Sequence, residues 1–578
     1  MKLPALILIL LTPLAYAGSL NLEIQHLWEG NPIDLAESQL TTKAGERISI
    51  TRLSYLLSEP QLLEKGSNST SGSWMRRADW FAYVDASIPT STISMGNLPS
   101  KKFTNLRFHL GLNQSVNTSD TSQYPAQHPL NPTVNNLHWS PQTGYIFLAL
   151  EGHLKSGTNT SGFTYHLGNS WNKVTVTLPA DLDLTRNTTV TLHFHLDRLF
   201  NTSSPIKIAD QNSTHSRKND PLAALIKKHA ASCFSIANIR YTSPTIHKNP
   251  IQKPINTTGT PYHFRLAENF PIPHLPTDYP LSNERVALGR ALFHETSLSR
   301  NGTISCASCH QQQHAFTDPK RFSEGTEKQM GKRNSMPLFN LAWKNNFFWD
   351  GRASSLRTQA LIPIEDHLEM DEKFQNVAAK LKQTEHYPKL FKKAFGSSSI
   401  TPEHLGIAIE QFLITLTSYN SRFDLAGKGK ATLTNQEKRG FELFMTENDP
   451  RRSLKGADCF HCHGGAFFTD HQFHNNGLPP TEDIGLAAFT GKKSDRAKFS
   501  TPSLRNIALT APYMHDGRFK TLEEVIKHYN SGIHRSATLD PNLAKHPSSG
   551  LGLSAEDQAA LVAFLKTLTD PQFSQDPP

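Results

Sequence analysis

The sequence predicts a multidomain protein with an all-β, sandwich-like N-terminal domain followed by two mainly α domains. Short runs of alternating polar and apolar residues, such as residues 174–178 and 190–194, recur between turn-forming residues in the N-terminal part, which is typical of β-strands. From about residue 282 onward the apolar spacing becomes helical, as in residues 286–293 and 407–416. Because 578 residues exceed what one hydrophobic core normally organises, we expect three domains.

Residues 1–17 have the features of an export signal. Lys2 precedes an apolar run that ends at Leu14, and Ala-Tyr-Ala at residues 15–17 matches a small-residue cleavage site. The apolar run is too short to cross a bilayer, which takes about 20 apolar residues. We therefore expect a periplasmic, soluble protein, exported by the Sec route and without a membrane span.

The net charge of +9 raises the question of an anionic partner. Lys and Arg residues are scattered along the chain rather than clustered, and no nucleic-acid reader motif accompanies them. We expect no nucleic-acid partner.

Four of the five cysteines lie in two copies of Cys-x-x-Cys-His. The two sets are Cys306, Cys309 and His310, then Cys459, Cys462 and His463. Such a motif attaches a haem through two thioether bonds and supplies the following imidazole as proximal iron ligand. A structural zinc site is the alternative, but zinc takes four ligands at one centre, and neither motif has a second Cys/His pair at zinc-finger spacing. The sequence therefore predicts two covalently attached haem c groups.

The helical part contains an internal duplication. Gly-Arg-Ala-Leu-Phe at residues 289–293 and Gly-Phe-Glu-Leu-Phe at residues 440–444 each precede one haem motif. Thr434 and Glu437 are predicted to form a capping box at the start of the second of these helices, and a last helix is predicted from Ser554 to about Leu568. We expect a β domain over residues 18–242, a proline-containing linker over 243–262, and haem domains over 263–430 and 431–578.

Beyond the haem motifs, three runs resemble the bacterial dihaem cytochrome c peroxidase and MauG superfamily over about residues 262–570. They are Asn-Phe-Phe-Trp-Asp-Gly-Arg-Ala at 346–353, Leu-Arg-Asn at 504–506 and Pro-Tyr-Met-His-Asp-Gly at 512–517. In that superfamily one haem binds peroxide and the other stores or relays electrons. The resemblance implies two cytochrome c-like domains and a peroxidase-type enzyme, with a peroxidatic haem on His310 and an electron-transfer haem on His463.

The same resemblance implies residues around the first haem. Thr326 stands where peroxidases that need reductive activation have a histidine that blocks the distal face, so an open iron is expected. Glu369 matches the distal glutamate, which transfers a proton between the peroxide oxygens, and Gln359 and Pro363 fall where MauG-like enzymes have distal-pocket residues. Without the resemblance, Glu369 is a solvated charge at a helix end.

At the second haem, Tyr529 stands where peroxidases have a methionine ligand and the MauG type has tyrosine. A phenolate ligand lowers the reduction potential and makes a high-valent state accessible, which favours peroxide-driven oxidation over simple peroxide removal. Met514 is a rival ligand, and core packing is the alternative role of Tyr529. Trp349 is expected between the haems as an electron relay, with plain packing as its alternative.

The superfamily also implies a calcium ion that bridges the two haem lobes. Its ligands would be the Asn334 side chain and the carbonyl groups of Thr510 and Pro512, oxygen donors that suit a hard cation.

Four short runs in the N-terminal part resemble MbnP, the copper protein of methanobactin gene clusters, over about residues 19–242. They are Phe-His-Leu-Gly at 108–111, His-Trp at 138–139, Gly-Tyr-Ile-Phe at 144–147 and Tyr-His-Leu-Gly at 165–168. In that family copper is held by histidines and by kynurenine, an oxidised tryptophan, and a MauG-like dihaem enzyme of the MbnH type performs the oxidation. The chain thus resembles a fusion of both partners.

By position, Trp139 is the candidate for oxidation, and His26 and His166 match recurrent histidines of the copper protein. The sequence departs from that family at His138, where an aromatic residue is usual, and at Pro141, where a second tryptophan is usual. Cys233 is left unpaired and is either a buried residue or a soft copper ligand.

Three hypotheses follow. The first is a periplasmic dihaem enzyme that uses hydrogen peroxide to convert tryptophan of its own or a sister β domain to kynurenine for copper binding. The second is a cytochrome c peroxidase that reduces hydrogen peroxide with electrons from a small donor, a cytochrome or a cupredoxin. The third is a periplasmic copper-binding protein whose haems only transfer electrons.

Overall fold

The computed structural model describes residues 18–66, 73–88, 91–140, 143–157, 159–242 and 255–574. The expected signal peptide, and residues 243–254 of the expected linker, lie outside these ranges. The chain divides into two compact units. The first comprises Met1–Gln114, Ile146–Leu150 and Tyr165–Pro250; the second comprises Ser115–Tyr145, Glu151–Thr164 and Ile251–Pro578.

The N-terminal part is built of β-strands, as the alternating pattern predicts. Its strands are β1 (Ser19–Trp28), β2 (Asn31–Pro32), β3 (Leu40–Thr41), β4 (Arg47–Glu64), β5 (Trp74–Arg76), β6 (Phe81–Asp85), β7 (Ser91–Asn97), β8 (Lys102–Leu110), β9 (His138–Ser140), β10 (Gly144–Ser156), β11 (Asn159–Gly168), β12 (Val174–Asp183), β13 (Asn187–His195), β14 (Ser213–Thr214) and β15 (Phe234–Thr242). One sheet has the order β15-β13-β1-β2, with β7 also paired to β1; the other has the order β12-β8-β4-β10-β11-β14. In the second sheet β3, β5 and β6 also pair with β4, and β9 pairs with β10. Strands β1 and β13 are parallel, with Leu20 opposite Thr188.

The two sheets share one aromatic core. The rings of Tyr55 on β4 and Phe194 on β13 stack with centroids 5.2 Å apart, and Phe108 on β8 meets Phe234 on β15 edge to face at 5.1 Å. Because each pair joins a strand of one sheet to a strand of the other, the sheets pack face to face, which confirms the predicted sandwich.

The C-terminal part is mainly helical. The helices of the whole chain are α1 (Gln114–Asn117), α2 (Pro132–Asn135), α3 (Asp197–Phe200), α4 (Pro221–Ala230), α5 (Asn283–Phe293), α6 (Cys306–Cys309), α7 (Leu356–Gln359), α8 (Ile362–Glu365), α9 (Phe374–Lys382), α10 (His386–Phe395), α11 (Pro402–Thr415), α12 (Arg422–Gly427), α13 (Asn435–Phe444), α14 (Ala487–Thr490), α15 (Leu522–Ser531), α16 (Pro541–Ala544) and α17 (Ala555–Lys566). A two-stranded ribbon, β16 (Phe473–His474) with β17 (Phe499–Ser500), accompanies them. Among the described residues, no helix is long and apolar enough to cross a membrane.

The internal duplication appears as the same helix crossing in both lobes. Helix α5 packs on α11, and α13 packs on α17. A Cβ added to Gly289 would overlap the backbone of α11 at Ala408, and one added to Gly440 would overlap the backbone of α17 at Ala560. Glycine therefore stands at each crossing because the two helix backbones touch there. The capping box predicted at Thr434 is also confirmed.

Two β-domain segments belong to the second unit and contact its helical part. The ring Nε2 of His153 donates to the Leu539 carbonyl at 2.7 Å, and the Asn542 amide donates to Glu151 at 3.3 Å. Further along, the Asn131 amide donates to the Ile272 carbonyl at 3.1 Å. These hydrogen bonds hold residues 115–145 and 151–164 against the haem lobes.

Candidate haem sites and active site

The first Cys-x-x-Cys-His motif forms a helical turn with a fixed histidine. Cys306 and Cys309 begin and end α6, and Ser305 with Ser308 forms a capping box before it. The Nδ1 atom of His310 donates to the Phe316 carbonyl at 2.8 Å. Since that bond occupies Nδ1, it leaves Nε2 as the nitrogen available to iron, and it fixes the orientation of the ring.

The second motif repeats this arrangement. The His463 N–H donates to the Cys459 carbonyl at 2.9 Å, and its Nδ1 donates to the Phe468 carbonyl at 3.0 Å. Burial lowers the pKa of His463, which keeps the imidazole neutral, the form that binds a metal.

Other polar groups of the haem lobes fit a haem. Within the described ranges, the ring Nε2 atoms of His471 and His515 are buried without a hydrogen bond. Burial lowers the pKa of Lys344 to about 8, and this ammonium has no ion-pair partner among the described side chains. Haem carries propionate groups, and carboxylates of this kind suit a half-buried cation and imidazole N–H donors. The two motifs and these donors of the haem lobes therefore fit haem c.

The structure places Thr326 and Glu369 side by side. The Thr326 N–H donates to the Glu369 carbonyl at 2.8 Å, and the buried Thr326 hydroxyl has no hydrogen-bond partner in the described structure. Gln359 ends α7 and Pro363 lies in α8, and the Met370 N–H donates to the Pro363 carbonyl at 3.2 Å. Gln359, Pro363 and Glu369 thus lie on α7, on α8 and in the loop that follows, and Thr326 contacts this loop from an earlier segment of the chain.

The Glu369 carboxyl group is suited to proton transfer. Burial, together with the negative charge of Asp366, raises the pKa of Glu369 to about 7, while Arg352 opposes the shift. Burial is the main cause of the raised pKa of Cys306 and Cys309, and the charge of Glu369 contributes to both. The carboxyl group therefore lies near the first motif and changes its protonation near neutral pH, as a general acid and base requires.

Trp349 is fixed between the two lobes. Its indole N–H donates to the Asn334 carbonyl at 2.8 Å, and its own carbonyl accepts from Ser500 at 2.8 Å. The next residue, Asp350, pairs with Arg333 at 2.6 Å, and Arg333 also donates to both carboxylate oxygens of Asp483. This ion-pair network and the indole hydrogen bond hold the ring in one position.

Asn334, the candidate calcium ligand, links three chain segments. Its N–H donates to the His515 carbonyl at 2.8 Å, and its side-chain amide donates to the carbonyls of Lys320 and Arg321 at 3.2 and 3.3 Å. These donor roles leave the side-chain oxygen directed away from both carbonyls. Thr510 is buried, and it stands two residues before Pro512 in the sequence. The calcium site itself stays a prediction.

Tyr529 and Met514 share one pocket at the second motif. Tyr529 lies on α15, whose start is fixed by a capping box at Thr521. Burial is the main cause of its raised pKa, and the cysteines of the second motif contribute, so the phenol lies near that motif. The Asn476 side-chain amide donates to the Tyr529 oxygen at 3.5 Å and to the Met514 sulfur at 3.3 Å. Tyr529 and Met514 therefore lie beside the same amide group, and the assignment of Tyr529 as the iron ligand stays a prediction.

A buried ion triad near the second motif was not predicted. His474 Nε2 donates to Asp470 at 2.8 Å, and its Nδ1 donates to Asp540 at 2.5 Å. Although burial opposes the charge, the two carboxylates raise the pKa of His474 well above its usual value. The imidazolium joins β16 to the segment before α16. No sequence motif marks this triad, because Asp540 is far away in the chain from Asp470 and His474.

In the first unit, the two candidate copper histidines have different surroundings. The His26 ring is buried, its Nε2 lies 3.0 Å from the Tyr55 hydroxyl, and burial lowers its pKa to about 4. His166 on β11 meets His215 edge to face, with ring centroids 5.0 Å apart. Sequence reasoning missed His215, which follows the two-residue strand β14 and has no motif around it. Cys233 is fully buried, as one of its two alternatives predicts.

Trp139 belongs to the second unit, beside the second haem motif. It lies on β9, which pairs with the start of β10. A Cβ placed on Gly464 would lie 4.0 Å from the Trp139 carbonyl oxygen. Gly464 directly follows the proximal ligand His463. The neighbouring His138 ring packs edge-on against Tyr145 at 4.7 Å, and its Nε2 is buried without a hydrogen bond in the described structure.

Comparisons with known proteins agree with both halves of this description. The di-haem cytochrome c peroxidase family model matches residues 283–432, and the MbnP family model matches residues 17–216. The methylamine utilization protein MauG of Methylorubrum extorquens is 37% identical over 309 residues, which are 53% of this chain and 83% of that protein. The cytochrome c551 peroxidase of Nitrosomonas europaea is 33% identical over 314 residues, 53% of this chain and 86% of that protein. A crystal structure of a MauG-like protein associated with microbial copper homeostasis shares 35% sequence identity, with a TM-score of 0.49 over 55% of this chain and 98% of that chain.

These relatives are dihaem oxidoreductases, and the range matched by the family model contains the first haem motif together with Glu369. The chain therefore belongs to the dihaem cytochrome c peroxidase family that includes MauG, and it has an MbnP domain on the N-terminal side of its haem lobes.

Proposed function

We propose that this protein is a periplasmic dihaem enzyme that uses hydrogen peroxide to oxidise its own Trp139 to kynurenine, for copper binding by its MbnP domain. The observation that carries the proposal is the position of the Trp139 backbone carbonyl beside Gly464, the residue that follows the proximal ligand of the second haem in the sequence. The substrate indole is thereby part of the compact unit that contains both haem motifs.

The peroxide chemistry is assigned to the His310 site. Haem c bound there supplies an iron that accepts peroxide and holds oxidising equivalents. Glu369 takes a proton from the inner peroxide oxygen and returns it to the outer one, which leaves as water. Thr326 supports this assignment because it puts a small hydroxyl where an imidazole would block the iron.

We assign the electron path from Trp139 to the first haem site to the second lobe and Trp349. Trp349 lies between the lobes, where its hydrogen bond to Asn334 holds it. Its indole, like the phenol of tyrosine, is among the side chains that lose an electron most readily. At the His463 site, Tyr529 supplies an oxygen ligand that favours oxidised iron. Trp139 then loses electrons without peroxide having to reach it.

The reaction balances with hydrogen peroxide as the only oxidant. Two peroxide molecules accept the four electrons and four protons that Trp139 and two water molecules release, and they leave as four water molecules. The two oxygen atoms of those added water molecules join the carbons of the indole double bond, which breaks. Hydrolysis of the opened ring then releases its carbon as formate. The side chain has gained one oxygen atom and lost one carbon atom overall.

Copper is assigned to the MbnP domain, where His166 and His215 offer two imidazoles with ring centroids 5.0 Å apart. Imidazole is a preferred ligand of copper. His26 is less suited, because its Nε2 is engaged with the Tyr55 hydroxyl. Calcium at Asn334, Thr510 and Pro512 remains part of the proposal for the haem lobes.

Met514 favours a second candidate function. A methionine ligand at the second haem is the peroxidase arrangement, and Met514 lies in the same pocket as Tyr529. With that ligand the protein would reduce peroxide using electrons from a small cytochrome or cupredoxin. Sustained turnover with such a reduced donor, and no change at Trp139, distinguishes this function from the first.

The test is peroxide treatment of the haem-loaded full-length protein, followed by intact-mass measurement and peptide mapping. We expect one oxygen gained and one carbon lost at Trp139, and copper affinity that rises with this conversion. Trp171 is the matched control, because it is 52% exposed and should stay unmodified. Unmodified Trp139, or equal oxidation of both tryptophans, would contradict the proposal.

A further inference from the structure

We propose that Asn476 is a positioning residue of the second haem site, which restrains the Met514 sulfur and directs the Tyr529 oxygen toward the iron. The inference rests on the proposed function for the placement of a haem on His463 and for tyrosine as its ligand. Nothing in the sequence marks Asn476, which lies in a loop between β16 and α14.

The two hydrogens of one amide group serve both rival ligands. The Asn476 Nδ2 atom lies 3.3 Å from the Met514 sulfur and 3.5 Å from the Tyr529 oxygen. A thioether has only weak acceptor lone pairs, and a hydrogen bond to one of them competes with iron for the sulfur. The other N–H favours negative charge on the phenol oxygen, because hydrogen bonds to charged groups are the strong ones.

The position of the amide is set by the fold around it and not by its two acceptors. The Asn476 carbonyl accepts from His528 Nε2 at 3.0 Å, on the same helix that carries Tyr529. On one side, the Asn475 amide donates to Ser536 at 3.1 Å and to Thr538 at 2.9 Å. These bonds tie the loop to α15 and to the segment that follows it.

Gly477 fixes the other side of the loop. Its φ is +71°, a value that side-chain-bearing residues rarely adopt, and a Cβ there would lie 2.7 Å from the Ile533 side chain. The Gly477 carbonyl accepts from the His534 N–H at 2.7 Å. With both neighbours fixed, the Asn476 side chain has little freedom to follow either ligand.

Met514 is itself held in an uncommon backbone conformation, with φ of +76°. The neighbouring His515 carbonyl accepts from the Asn334 N–H at 2.8 Å, which anchors the segment from the other lobe. A non-glycine residue with positive φ persists only where its surroundings determine it. The fold therefore keeps the sulfur beside Asn476.

The expected effect of removing the amide is a change of iron ligand. In Asn476→Leu the sulfur loses its competing hydrogen bond and the phenol oxygen loses its donor. The ratio of tyrosine-ligated to methionine-ligated second haem should fall by about tenfold or more, the factor that a hydrogen bond to a charged group contributes. The reduction potential of that haem should rise with it.

The test uses full-length, haem-loaded protein and measures the ferric low-spin signals by electron paramagnetic resonance and near-infrared magnetic circular dichroism, with the midpoint potential. Asn476→Leu should show a methionine-type signal, and the double variant Asn476→Leu/Met514→Leu should lose it. Asn476→Asp keeps the shape of the side chain but removes its N–H donor, so it should shift the signal in the same direction. It provides the test if the leucine variant loads haem poorly. Gln472→Leu removes an exposed amide from the same segment and should leave the spectrum unchanged.

The outcomes separate this inference from the proposed function. If Tyr529→Phe alters the second low-spin signal while both Asn476 variants keep the parental spectrum and potential, Asn476 has no positioning role. If Tyr529→Phe leaves that signal unaltered, tyrosine is not the ligand and the proposed function loses its second haem assignment.

Discussion

Replacing Glu369 by glutamine tests the acid–base chemistry most directly. Glutamine keeps the size of the side chain but removes the proton that the carboxyl group transfers. A positioned acid or base contributes about 10²–10⁴-fold in rate, which is about 3–5 kcal/mol of activation free energy. The single-turnover rate of peroxide reduction should fall by that factor in Glu369→Gln.

The pKa adds a quantitative signature. The first step needs the carboxylate form, and the pKa of Glu369 is raised to about 7. The carboxylate fraction is then about one tenth at pH 6 and about nine tenths at pH 8. The wild-type rate should therefore rise about tenfold between these pH values and level off above them, whereas Glu369→Gln should lack this limb.

The assay is stopped-flow absorbance of the ferric haem band after mixing with peroxide, repeated across pH. Asp366→Asn is the matched control: it removes the charge that helps to raise the pKa of Glu369, so the limb should move to lower pH while the plateau rate stays the same. A glutamine variant that reacts within threefold of the wild type and keeps the same limb would refute the role of Glu369.

Three further predictions concern the haem lobes. Replacing Cys306 and Cys309 by alanine should leave one covalent haem per chain after denaturation, measured by absorbance and mass; two retained haems would contradict the attachment assignment. Tyr529→Met should raise the midpoint potential of the second haem in a spectroelectrochemical titration, and an unchanged potential would count against a tyrosine ligand. Because the pKa of His474 is raised, its triad stabilises the fold below pH 6.5 and loses that effect as pH rises through the folded-state pKa. Asp470→Asn should therefore lower the free energy of unfolding, measured by chemical denaturation, by about 3–5 kcal/mol near pH 6 and by less at alkaline pH. An equal loss at both pH values would contradict the charge argument.

The spacing of apolar residues in the sequence predicted the β-strands and the helices, because the period of that spacing is set by each element alone. Alternation gave the strands, and the two glycine-containing runs indicated two equivalent helices, although the reason for Gly289 and Gly440 is a contact with a distant helix. The haem motifs were predictable because two cysteines and a histidine must be neighbours to reach one porphyrin. His215 and Asn476 were not, because each acts through residues far away in the chain.

The division of the chain shows the same limit. Composition changes near residue 250, and this change predicted a boundary there between strands and helices. The structure instead groups Ser115–Tyr145 and Glu151–Thr164 with the helical unit, through hydrogen bonds such as that of His153 to Leu539. Hydrogen bonds between segments so distant in sequence leave no periodic signal.

The position of Trp139 beside Gly464 has a kinetic consequence. A substrate that is tethered in place reacts in a unimolecular step, so the rate of conversion per molecule should not change on dilution of the protein. Each chain also has one such tryptophan and releases no protein product. The proposed oxidation would therefore be a maturation event that each molecule completes once, and its extent would be set by the supply of peroxide and not by turnover.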